Sequence, residues 1–87
     1  IELEQFLPGL GPVFSIRLNP GSPAIGRSLA ELNFRSMTGA SIIAITRGKE
    51  GVVVPTGAEK LQQGDVLAIT GTEEAMRSSR NLLLESN

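Results

Sequence analysis

The chain has no histidine, no cysteine, no tryptophan and no tyrosine, and its three aromatic residues are all phenylalanine. Without histidine it lacks the commonest general base and the commonest transition-metal ligand. Without cysteine it has no disulfides, no thiol nucleophile and no cysteine-based zinc site, although this does not fix a redox compartment. Three phenylalanines leave no platform on which bases could stack. Eight basic and nine acidic residues give a net charge of −1 with no block of like sign, so there is no electrostatic footprint for nucleic acid. No apolar run approaches the roughly 18 residues of a membrane-spanning helix. Glu2 and Glu4 stand where a signal peptide would carry basic charge. What chemistry remains is thin. Lys49 and Lys60 have no serine at a spacing that suggests a Ser-Lys dyad. Glu73 and Glu74, adjacent on a helix, diverge in direction and complement its dipole. The reading is a non-enzyme, with no catalytic residue, metal site or cofactor, and with no nucleic-acid partner.

What is present suits one small domain. A chain of 87 residues, 40% of them apolar, buries only roughly 60–65% of its unfolded surface. A dimer interface would add to that. The chain opens at Ile1 rather than Met, so a piece of something longer is expected, with residues 1–12 as a lead-in or linker and 13–87 as the module. In the lead-in, Ile1, Leu3, Phe6 and Leu7 suit one amphipathic turn before Pro8-Gly9 stops it. Gly9-Leu10-Gly11 begins like a nucleotide-loop fingerprint. No strand precedes it, however, and Phe14 occupies the third glycine position, so it fails as one.

The module is organised around Pro20–Arg35. Pro20-Gly21 and Ser22-Pro23 are turn dipeptides. Ser28 and Glu31 have the spacing of a capping box, followed by Leu29 and Leu32 on one helical face. Asn33 can cap a second short turn, Phe34 to Thr38, which Gly39 ends. A strand flanks this stretch on each side. Before it, Val13–Leu18 alternates, with Phe14, Ile16 and Leu18 on one face and Val13, Ser15 and Arg17 on the other. After it, Ala40–Arg47 is apolar on both faces and reads as a central strand. Gly48–Gly51 turns the chain into Val52–Val54, a β-hairpin ended by Pro55. Thr56–Gly64 is a polar loop crossed by Leu61. Gly64-Asp65 is a turn in which the carboxylate accepts backbone N–H groups, and Val66–Thr70 is the last strand. Thr72 then caps a final helix whose inner face is Ala75, Met76, Ser79 and Leu83. The fold class is therefore α+β: a small β-α-β-β-β-α module with a mixed, mainly antiparallel sheet and helices on one side.

Three stretches, in this order and spacing, resemble the C-terminal RCK domain, also called TrkA-C, of regulators of potassium channels, transporters and cation/proton antiporters. They are GSPAIGRSLAELNFR (Gly21 to Arg35), TGASIIAITRG (Thr38 to Gly48) and LQQGDVLAITGT (Leu61 to Thr72). The resemblance implies a cytosolic regulatory, ligand-sensing and dimerisation domain on the cytoplasmic side of the membrane. It implies a homodimer that works with a transmembrane cation channel, transporter or antiporter, in the same chain or another. The family's nucleotide-binding Rossmann half is not in this stretch, so no NAD is expected here. In members that bind cyclic di-AMP the ligand lies on the twofold axis of a domain dimer. The matching positions in this sequence are Leu29, Arg35, Ser41, Ile42 and Pro55, with Arg35 suited to a phosphate. Ser41 departs from the asparagine of ligand-binding members. Two alternatives accompany this reading. One is a purely structural dimerisation module. The other is a lipoyl or biotinyl carrier, to whose GD-x-L strand GDVLAITG is similar. The carrier needs a lysine at a hairpin tip within an acidic-hydrophobic motif, and Lys49 is flanked by Gly48 and Glu50 instead.

Overall fold

The computed structural model describes residues 6–7 and 11–84. Apolar alternation and β-branched residues produce strands β1 (Phe6–Leu7), β2 (Gly11–Arg17), β3 (Ser41–Arg47), β4 (Gly51–Val53) and β5 (Val66–Thr70). They form one sheet in the order β1-β2-β5-β3-β4, and every described pairing is antiparallel. The last strand in sequence, β5, lies at the centre, where its Leu67 and Ile69 are fully buried. The run 40–47 is interior as expected, but it lies between β5 and the three-residue β4. Of its residues 41–47, only Ile45 is buried. A register shift between Ile42 and Ala44 marks a bulge in β3 against β5. The hairpin between β3 and β4 turns through a single 3-10 turn, Gly48–Glu50. In place of the amphipathic turn expected in the lead-in, Phe6 and Leu7 pair with Pro12 and Gly11 at the free edge of β2. That edge offers unpaired backbone groups, which favour a strand over an isolated turn. The rest of the expected turn, residues 1–5, lies outside the described residues.

Helices α1 (Leu29–Leu32), α2 (Phe34–Thr38) and α3 (Glu73–Leu84) complete the order. At α1 the capping box is closed on both sides. Ser28 Oγ accepts from Glu31 N at 3.1 Å, and Glu31 Oε1 accepts from Ser28 N at 2.8 Å. That backbone N–H, more than any other group, holds the Glu31 carboxyl below its ordinary 4.5. Asn33 joins α1 to α2 in the left-handed region, φ 50°, which asparagine tolerates better than most residues. Thr72 Oγ1 accepts from Ala75 N at 3.0 Å at the start of α3. The buried face of α3 consists of Ala75, Met76, Ser79 and Leu83, as its periodicity predicts.

The core collects Ile16 and Leu18 from β2 and the residue that follows it, Phe34 from α2, Ile45, Leu67 and Ile69 from the sheet, and Met76 and Leu83 from α3. Leu61, the apolar residue of the long loop, is part of it and only 1% exposed. Ser22 Oγ donates to the carbonyl of Leu83, tying the turn before α1 to the end of α3. Among the described glycines, Gly71 has the closest surroundings. A Cβ there would stand 3.1 Å from the Cβ atoms of Ala40 and Ala75 and 3.2 Å from Ala40 Cα.

Candidate functional site

A surface cavity of about 470 Å³ opens where the helices meet the start of β3. The capping box and Asn33 set the angle between α1 and α2, so that Leu29, Asn33 and Arg35 face a common space. Ala40, Ser41 and Ile42 at the start of β3 also line it, as do Pro55, Thr56 and Gly57 after β4. All five positions named from the sequence, Leu29, Arg35, Ser41, Ile42 and Pro55, line this one cavity. Leu29 and Ile42 are half-buried and pack against the core, so they present apolar surface without being locked inside it. Arg35 is exposed, and among the described residues its guanidinium is paired with no carboxylate. A free guanidinium beside an apolar lining can receive a phosphate or carboxylate in bidentate fashion. Among the described residues no group of histidine, cysteine, aspartate and glutamate could hold a metal ion. Val52 and Val54, just before Pro55 in the chain, are exposed apolar residues, 69% and 77% accessible.

Sequence reasoning missed several features. Asn33, Thr56 and Gly57 also line the cavity. Asn33 carried a signal, as a cap between two short helices. Thr56 and Gly57 carried none beyond their place in a polar loop. The larger omission is Arg47 at the end of β3. Its Nε and Nη2 donate to the two carboxylate oxygens of Asp65 at 3.0 and 2.8 Å, its Nη1 to Glu59 at 2.7 Å, and Nη2 also to the Lys60 carbonyl at 3.1 Å. The hydrogen bonds to Asp65, ahead of the other interactions, hold the guanidinium above its ordinary pKa. Asp65 also accepts from Gln62 N at 2.9 Å, the turn role its sequence position implies.

The fold and cavity define a small α+β domain with a recess of small-molecule size and no catalytic constellation among its described lining residues. The chain belongs to the TrkA-C domain family, whose model matches residues 13–84. This family is a regulatory module of transport proteins rather than a catalytic one. An uncharacterized transporter of Bacteroides fragilis is 37% identical over 76 residues, spanning 87% of this chain and 14% of the transporter. The Ktr system potassium uptake protein C of Bacillus subtilis is 35% identical over 57 residues, spanning 66% of this chain and 26% of that protein. The chain thus spans about a quarter or less of these curated relatives. Among solved structures it is similar to the RCK_C domain dimer of S. agalactiae BusR in complex with c-di-AMP. The TM-score is 0.73 at 28% identity, covering 80% of this chain and 92% of that one. It is also similar to the RCK C domain of the potassium transport protein KtrA in complex with c-di-AMP, at a TM-score of 0.68 and 30% identity, covering 79% and 80%. BusR has further been solved with its busAB-promotor DNA; there the TM-score is 0.74 at 28% identity, covering 90% of this chain and 38% of BusR.

Proposed function

We propose that this chain is the cytosolic regulatory and dimerisation domain of a potassium or other monovalent cation transport protein, and that it binds cyclic di-AMP in the cavity between α1, α2 and β3. The observation that carries the reading is the convergence of Leu29, Arg35, Ser41, Ile42 and Pro55 on one cavity, with Arg35 free of any carboxylate among the described residues. Two family neighbours of comparable length are described as c-di-AMP complexes, one of them as a domain dimer. A twofold ligand suits a twofold site. Two copies of Arg35 face its two phosphates, while Leu29, Ile42 and Pro55 from both chains cover its purines. The module comprises residues 13–87, and it couples ligand occupancy to a membrane-embedded partner in the same or another chain. None of its described helices is long and apolar enough to cross a membrane itself.

Isothermal titration of the chain with cyclic di-AMP should give one ligand per two chains, and sedimentation equilibrium at tens of micromolar should show the dimer. Arg35→Ala should remove most of the affinity. Ser41→Asn should strengthen binding several-fold, about the value of one net hydrogen bond, roughly 0.5–1.5 kcal/mol. An intact dimer with no binding at about 0.1 mM ligand, weaker than roughly −5.5 kcal/mol, would leave a purely structural coupling module.

A further inference from the structure

Part of the cavity's lining is a stretch of loop. Pro55, Thr56 and Gly57 belong to residues 54–65, a segment with no helix and no regular strand. Such a wall keeps a defined shape only if something fixes it, and here two sets of contacts do so. On one side, the loop carbonyls of Gly57 and Glu59 accept the first N–H groups of α1, from Ala30 at 2.9 Å and Leu29 at 3.0 Å. On the other side, the Arg47 guanidinium reaches across from β3 and bonds the Glu59 side chain and the Lys60 carbonyl while its remaining edge is anchored on buried Asp65. Arg47 thus connects the rigid sheet to the loop segment that in turn holds the N-terminus of α1. It does not line the cavity itself.

We propose that Arg47 is the positioning residue of the ligand site: by clasping Glu59 and Lys60 it sets the separation between the loop wall (Pro55–Gly57) and the helix wall (Leu29). This rests on the reading of the cavity as a cyclic-dinucleotide site. A wall held before the ligand arrives need not be ordered on binding, and that preorganisation appears as affinity. Arg is the residue suited to the task, because its planar fork makes contacts in several fixed directions at once, which a lysine ammonium cannot do.

Replacing Arg47 alone strands a buried carboxylate and risks unfolding, so the informative variants are Glu59→Ala and the charge-matched pair Arg47→Met/Asp65→Asn. Two readouts are needed: cyclic di-AMP affinity by titration, and amide hydrogen exchange at Leu29 and Ala30 compared with β5, whose amides report global opening. Both variants should speed exchange at Leu29 and Ala30 by about tenfold relative to β5 and weaken cyclic di-AMP by about tenfold, one 1.4 kcal/mol step. Arg47→Lys should fall between them and the unaltered chain. Arg35→Ala, the control, should lose affinity with unchanged exchange. Unchanged exchange in both variants overturns the proposal, and so does faster exchange with undiminished affinity. If the unaltered chain fails to bind, the ligand reading falls, and the exchange measurement alone decides whether Arg47 sets the wall.

Discussion

Replacing Arg47 by methionine tests how much of the domain's stability rests on one buried ion pair. The Asp65 side chain is 1% exposed and that of Arg47 11%. Of the donors that reach the Asp65 carboxylate, two come from Arg47 and one from Gln62 N. In Arg47→Met only the last remains among the described residues, for a carboxylate that is almost fully buried. Breaking a buried pair from one side typically costs about 3–5 kcal/mol. At about 0.05–0.15 kcal/mol per residue, a domain of this size has only about 4–13 kcal/mol in total. The substitution should therefore remove between about a quarter and all of the stability. Asp65→Asn should cost about 3 kcal/mol, since it leaves the guanidinium with Glu59 and a carbonyl. Arg47→Met/Asp65→Asn should fall short of the sum of the singles by about 2 kcal/mol, because it leaves no buried unpaired charge. Urea denaturation followed by far-ultraviolet circular dichroism is the appropriate assay, as the chain has no tryptophan or tyrosine for near-ultraviolet or fluorescence detection. An Arg47→Met cost below about 1 kcal/mol, the range of a solvated surface pair, would refute the reasoning.

Ser28→Ala should cost roughly 0.5–2 kcal/mol and Ser28→Gly clearly less; equal losses in urea denaturation would mean that the Ser28 hydroxyl is not the cap. The Glu31 carboxyl is depressed in the folded state, so its contribution is complete above its ordinary value of 4.5 and is lost as pH falls through the lower folded value. The difference in melting temperature between the unaltered chain and Glu31→Gln should accordingly be largest near neutrality and shrink toward pH 3; a constant difference would contradict the linkage. Gly71→Ala should destabilise by about 1–3 kcal/mol through overpacking against Ala40 and Ala75. Gly21→Ala, where an added Cβ meets nothing within 4 Å, should be close to neutral in the same assay.

Local signals in the sequence were reliable where the physics is local. The Ser28–Glu31 box, the Thr72 cap and the inner face of α3 depend on residues no more than eight apart, and each has the partners its spacing implies. Sheet order is different. Strand β5 lies between β2 and β3 because its two edges satisfy both of them, and nothing in Val66–Thr70 itself says which strands will flank it. Phe6–Leu7, by contrast, pairs only four to six residues away, with Gly11 and Pro12, and its apolar pattern alone did not separate a strand from a turn. Arg47, 12 residues from Glu59 and 18 from Asp65, follows no helical or strand period, so its clasp could not be read from spacing. The five candidate site residues came from family resemblance, and composition alone would not have selected Arg35 over Arg27 or Arg17. Asn33 was legible as a cap but not as part of a cavity wall, since that depends on where α1 and α2 lie against β3.

The central position of β5 also constrains the order in which the domain can assemble. During synthesis from the N-terminus, β2 emerges with no other described strand of this module to pair with than the two-residue β1, because its long partner is Val66–Thr70. Apart from that short pair, the β3–β4 hairpin is the strand pairing of the module that can form from contacts already made. Pairings this distant in sequence are slow to close, so the nascent chain carries Phe14, Ile16 and Leu18 unburied until nearly the whole module has left the ribosome. A stop codon or proteolytic cut before residue 66 would then yield no partial domain with a usable core, only an adhesive fragment for chaperones and proteases to clear.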